Sequence, residues 1–195
     1  MTKDDGQERF HVCKKTEHPK YNSLTDDYDF SILTLCKAIT FRREASPVCL
    51  PKKTGSAYDS VVSTVSGWGL LEEEGLSPDI LMEVNVMTMT NTVCNETYGG
   101  EIFDSMICAK ENEKDSCEGD SGGQCCLCHP RIMMFSLTGP LITKEPGNFY
   151  SLIGVVSWGK GCAEPDYPGV YARVTEVLKW IENKIMGTTC IPPIN

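Results

Sequence analysis

The sequence predicts an all-β fold, a barrel or a sandwich, carrying one helix near its C-terminus. Two observations point there. Short apolar runs rich in β-branched and aromatic residues recur along the chain, and turn-forming Gly, Pro, Asn and Asp separate nearly all of them, with 17 Gly and 11 Pro among 195 residues. Taken in order, 30–35, 61–66, 80–89 and 152–158 read as strands with partial alternation of apolar and polar positions. Thr175 then precedes Val177, Leu178, Ile181 and Ile185, a spacing that predicts a helix capped by Thr175 with one apolar face.

Composition narrows the function classes. Apolar residues make up 41% and charged residues 23% of the chain, enough to bury a core and too apolar for disorder. The net charge of −9 argues against a phosphate-binding surface, so no nucleic-acid partner is expected. No run of 18 apolar residues occurs, and no membrane partner is expected. The 11 cysteines suggest disulfides and an oxidising compartment, and their odd number leaves at least one unpaired within the chain. Yet the opening MTKDDGQERF is charged and is no secretory signal. Either the protein is cytosolic and its cysteines serve otherwise, or the true N-terminus lies upstream of Met1.

The chemistry concentrates in DSCEGDSGG, residues 115–123. A serine raised on a tight turn between glycines presents its hydroxyl while backbone N–H groups converge on the same point. Such geometry suits a nucleophile with an oxyanion hole. The same residues also make ordinary turns, so the neighbouring motifs decide between the two readings.

Those motifs are DYDFSILTL (27–35), VCLP (48–51), VSGWG (65–69), YGGEIFDSMICA (98–109), DSCEGDSGG (115–123) and GVVSWGKGCAEPDYPGVYARV (154–174), followed by the terminal helix through Trp180. In this order they resemble the trypsin/chymotrypsin family of serine proteases from about residue 9 to about 187. The resemblance implies two antiparallel β-barrels and a C-terminal helix. Residues 1–55 would be a remnant of the first barrel and 56–195 the second, together one peptidase domain with an unusual insertion at 124–139.

The resemblance also assigns roles. Ser121 would be the acyl-forming nucleophile, with the N–H groups of Gly119 and Ser121 as the oxyanion hole, and Asp29 would orient a catalytic histidine. Asp115, six residues before Ser121, would lie at the base of the specificity pocket and select a substrate Arg or Lys by charge. Gly159 and Gly169 would form the pocket walls, and Ser157, Trp158 and Gly159 would pair with the substrate backbone as an added strand. Cys94–Cys108 and Cys117–Cys162 would be disulfides, while Ser63 and Thr143 occupy the places of a further bridged pair. Cys49 resembles a cysteine that some members link to a segment before the protease domain; Cys13, Cys36 and Cys190 find no partner by this comparison. Asn95-Glu96-Thr97 is a glycosylation sequon.

Together these features imply a secreted endopeptidase acting on protein or peptide substrates after Arg or Lys, with protein protease inhibitors as further candidate partners. No cofactor and no metal is expected.

Three departures stand against that pattern. A histidine in the context of the catalytic base is missing: His18 matches a surface His-Pro-x-Tyr element, His11 sits in a charged strand, and His129 follows the nucleophile loop. Also absent is the N-terminal Ile or Val whose ammonium would pair with Asp120, so the chain as given is expected to hydrolyse near background. Finally, Gln124 to Gly139 intervenes before Pro140-Leu141-Ile142, and it reads as translated intron or a loop extruded to the surface. Within it Cys125-x-x-Cys128-His129 spells a haem-attachment motif or part of a zinc site, but the helical haem pocket and the fourth zinc ligand are lacking. The alternative to an enzyme is a non-catalytic protease homologue that binds partners through the old substrate cleft.

Overall fold

A computed structural model describes residues 8–43, 45–68, 78–110, 139–160 and 166–185, together with the backbone of 125–126 and 132–135. In chain order the strands are β1 (Val12–Glu17), β2 (Ser31–Leu35), β3 (Val62–Gly67), β4 (Met82–Met89), β5 (Met106–Lys110), β6 (Cys125–Cys126), β7 (Ile132–Phe135), β8 (Pro140–Glu145), β9 (Phe149–Trp158) and β10 (Gly169–Arg173). Helix α1 (Asn91–Tyr98) follows β4, and α2 (Leu178–Ile185) ends the described chain. Six strands close an antiparallel barrel in the order β10-β5-β4-β3-β8-β9, and the other four form a separate sheet, β1-β2-β7-β6.

Strand β9 belongs to two cores. A β-bulge between its pairings with Leu141 and Ile142 shifts the alternation, so that Ile153 and Val156 both join the barrel core, beside Val65, Ile107, Leu141 and Tyr171. Leu152 and Val155 face the other way, packing with Phe30 and Ile32 of the sheet region and with Ile181 and Ile185 of α2. A strand buried on both faces reads as a nearly continuous apolar run, as FYSLIGVVSW does. Gly154 is tightly packed inside the barrel: a Cβ there would meet the Leu141 and Tyr171 side chains at 3.0 and 3.1 Å, so those neighbours would have to give way.

The segment 124–139 departs from the expected extruded loop. Its β7 pairs antiparallel with β2 through Ser31↔Phe135, Ile32↔Met134, Leu33↔Met133 and Thr34↔Ile132, and β6 adds to β7. The physical reason is the free edge of β2, whose backbone donors and acceptors need a partner and find one in the apolar run Ile-Met-Met-Phe. The chain then re-enters the barrel at Gly139, where a Cβ would lie 2.3 Å from the Ser66 carbonyl oxygen and so cannot be accommodated.

Other expectations also change. Helix α1, which the apolar pattern does not reveal, is capped by Thr90, whose side chain accepts from Val93 N, and ends at Gly99 in the left-handed conformation. Thr175 does not cap α2: it lies in a 3-10 turn and its hydroxyl donates to Gly55 O at 2.9 Å. His18 is not a surface residue but 93% buried, stacked on Tyr28 at 4.7 Å and edge-on to Trp180 at 4.8 Å. Cys13 and Cys36 are disulfide-bonded to each other, clipping β1 to the end of β2, whereas Cys49 carries a free thiol beside β9. At Asn95 the side-chain amide donates to Ile102 O and accepts from Ile102 N, closing the 95–102 turn.

Arg173 fastens the barrel to its surroundings. It is 97% buried and donates to Met106 O, Asp59 Oδ1 and Asn91 Oδ1. Replacing Arg173 by Leu would strand the largely buried Asp59 carboxylate, and chemical denaturation should show a loss of about 3–5 kcal/mol. Burial, with Lys20 nearby and Asp27 partly opposing it, lowers the His18 pKa below 6.5. The charged form is therefore disfavoured in the fold, so the stability held above pH 6.5 is lost as pH falls toward and below the folded value. Unfolding free energies measured at pH 8 and pH 5 should show this acid-side loss in the wild type and a smaller one in His18→Phe.

Candidate active site

The expected site residues that lie among the described ones gather where the sheet meets the open end of β9. Asp29 immediately precedes Phe30 and β2; Ser157 and Trp158 end β9, and Gly159 follows. Ser157 Oγ donates to Asp29 Oδ2 at 2.7 Å, a contact between residues 128 apart in the chain. Next to it Ser105 Oγ accepts from Tyr28 N at 3.1 Å and donates to Asp27 Oδ1. Ser105 O also accepts from Arg173 N at 2.6 Å. The loop that presents Asp29 is thus held at successive residues, with Asp26 and Tyr28 in positive φ.

The environment of Asp29 is set by burial. Desolvation raises its carboxyl pKa above 3.8; the Ser157 hydrogen bond opposes the shift, Asp26 adds to it, and Lys15 reduces it. Among the described residues its hydrogen-bond partner is a neutral hydroxyl rather than a cation. A half-buried carboxylate kept in this way favours a group that can orient and charge-stabilise a neighbouring base.

Gly159 and Gly169 lie close together: a Cβ on Gly159 would come 4.0 Å from the Gly169 Cα, its one contact within that distance among the described residues. Val170 pairs with Trp158, fixing that width through the β9–β10 ladder. Behind the ladder the Cys94–Cys108 disulfide packs in one cluster with Tyr98, Ile102, Met106 and Val170, and Tyr98 Oη donates to Pro168 O at 2.6 Å. Ser63 and Thr143 sit directly opposite each other on β3 and β8, both buried, with Thr143 donating to Val62 O. Asp115, Cys117, Gly119, Asp120, Ser121, His129 and Cys162 lie outside the described residues.

The family model described as Trypsin matches residues 1–181, which is most of the chain. The chain belongs to the trypsin family. It is 39% identical over 93% of its length to "Trypsin-1" of Astacus astacus and 38% identical over 91% to "Trypsin 5G1" of Aedes aegypti. A third relative, "Transmembrane protease serine 9" of Rattus norvegicus, is 38% identical over 89% of the chain. The chain spans 70%, 60% and 15% of these three relatives respectively. Membership makes it a member of a serine protease family whose substrates are proteins, and the β-barrel and disulfides agree with that fold. Among the described residues no helix is long and apolar enough to cross a membrane.

Sequence reasoning missed Ser105, Asp27 and Arg173, the groups that fix this trypsin-family seam. The FDS triplet before β5 carries no periodicity signal, and nothing local in the sequence marks Arg173 as buried. Because Asp29 has a raised pKa, the stability present below pH 3.8 is lost as pH rises through the folded value. Asp29→Asn keeps an acceptor for Ser157 and removes the desolvated charge. Urea unfolding should find it more stable than the wild type at pH 7, with the difference closing below pH 3.8; a variant less stable at pH 7 would contradict this account.

Proposed function

We propose that the protein is a trypsin-like serine endopeptidase, secreted, that cleaves after Arg or Lys through an acyl-enzyme. The Ser157–Asp29 hydrogen bond carries the reading, because it joins an orienting carboxylate to the end of the strand that would receive the substrate. Ser121 Oγ attacks the scissile carbonyl, and the N–H groups of Gly119 and Ser121 receive the oxyanion. Each such donor is worth about 3 kcal/mol in the transition state. Asp29 holds a histidine base and offsets its positive charge; the amine product leaves, and water then releases the acyl group from Ser121.

Specificity follows from Asp115 at the foot of the pocket between Gly159 and Gly169, whose missing side chains leave a passage for a long cationic chain. Ser157, Trp158 and Gly159 bind the substrate backbone by strand addition, and protein inhibitors would enter along the same edge. His18 is locked between two aromatic rings and is not placed to serve as that base. No cofactor enters this chemistry.

The pocket can be tested without hydrolysis. An arylamidinium ligand titrated calorimetrically into the full chain should bind, and Asp115→Asn should lose about 2–5 kcal/mol of that affinity, the cost of removing one partner of a buried charge pair. Equal binding by wild type and variant would refute the assignment. Binding without acylation by a fluorophosphonate would favour a non-catalytic binding homologue.

A further inference from the structure

His18 brackets Asp29 from both sides. Its ring stacks on Tyr28, the residue before Asp29, with centroids 4.7 Å apart and planes 6° from parallel. Its backbone N–H donates to the carbonyl of Phe30, the residue after, at 2.9 Å. Trp180 of α2 closes on the ring edge-on at 4.8 Å, and His18 is left only 7% exposed.

Tyr28 depends on such support. It is held at a φ of 54°, a left-handed backbone that strains a bulky residue and persists only where the surroundings enforce it. Its supports are the His18 ring, Ser105 Oγ accepting from its N–H at 3.1 Å, and Lys20 Nζ, which lies 4.8 Å from the ring centre and donates to the hydroxyl oxygen at 3.4 Å. We propose that neutral His18 is a positioning residue for Asp29, and that protonation of its ring releases the 28–30 turn and with it the Asp29–Ser157 contact. The inference rests on the peptidase reading above for its bearing on catalysis, and it adds an acid-side control to the same site.

The chemistry turns on one nitrogen. His18 Nδ1 accepts the Lys20 backbone N–H at 3.3 Å, so in the neutral ring the proton sits on Nε2. An added proton must go to Nδ1, where it meets that same N–H and turns an acceptor into a second donor. The contact then opens, and the imidazolium needs a hydration that its place between two aromatic rings denies it. Two charged groups act on the ring: Lys20 from its own turn repels a cation, and Asp27 from the loop before β2 attracts one, while α2 presents the uncharged Trp180. Asp27 is already committed, accepting from Ser105 Oγ. Burial and Lys20 together outweigh Asp27, so the fold favours the neutral ring.

The test is an NMR pH titration of the full chain that follows the His18 ring beside the backbone amides of Tyr28, Asp29 and Ser157. All three amides should shift with the midpoint of the His18 ring, while amides of β3 and β4, outside its contacts, stay in place until the chain unfolds. Asp29 titrates as well, so the series is repeated in Asp29→Asn, where the Ser157 amide should keep the His18 midpoint. His18→Phe retains an aromatic ring against Tyr28 and cannot titrate; in it the step at that midpoint should be lost. Seam amides that ignore the His18 titration in the wild type, or a step that survives in His18→Phe, would overturn the inference, and the wild-type series decides even where a variant does not fold. Fluorophosphonate labelling of Ser121 separates this coupling from the reading beneath it. Absence of labelling at every pH tells against the peptidase, whereas the amide titration alone decides the role of His18.

Discussion

A carboxylate held at a seam by a hydroxyl is the constraint on which the rest of the site depends. Asp29 leads into β2 of the four-stranded sheet and Ser157 belongs to the barrel, and their hydrogen bond fixes where the end of β9 lies relative to the sheet. Trp158 and the Gly159–Gly169 gap take their positions from that strand end. Desolvation works against the charge on Asp29, and no cation among the described residues hydrogen-bonds to it. A fold selected for stability alone would not desolvate such a group. Conformational rigidity around it, from Ser105 through Asp27 and Tyr28, is what sustains the arrangement.

The hairpin of β6 and β7 gives the family fold an unusual connection. Strand β6 begins four residues after Ser121, and β7 lies directly against β2, two residues beyond Asp29. The proposed nucleophile loop is thereby linked in sequence to the sheet that bears the orienting carboxylate. Pairing of β7 also removes an open edge from β2, leaving β1 and β6 as the outer strands of that sheet. Lys14 and Lys15 on β1 are charges of the kind that discourage further strand addition.

Much of this was legible in the residues, for reasons that differ by element. Strands β2, β3, β4 and β9 announced themselves because period-two alternation or a continuous apolar run is forced on any strand with one or two buried faces. Helix α1 stayed hidden since only Cys94 and Tyr98 are buried on it, too few to make an apolar stripe. Asp29 was found through its flanking motif, yet its partner Ser157 was assigned only to substrate pairing, because a contact across 128 residues leaves no local trace. The Cys13–Cys36 bridge was missed for a related reason: it depends on the β1–β2 register, Val12↔Leu35, which spacing alone does not reveal. His18 looked like a surface residue until α2 brought Trp180 over it.

The account stands on the state of one carboxyl group, and a carbon-13 NMR titration of Asp29 in the full chain reads it directly. Burial should place its pKa above the ordinary 3.8, and Ser157→Ala, by removing the hydroxyl that favours the charged form, should move it higher still. A value at or below 3.8 in the wild type, or one indifferent to the loss of Ser157, would contradict the account.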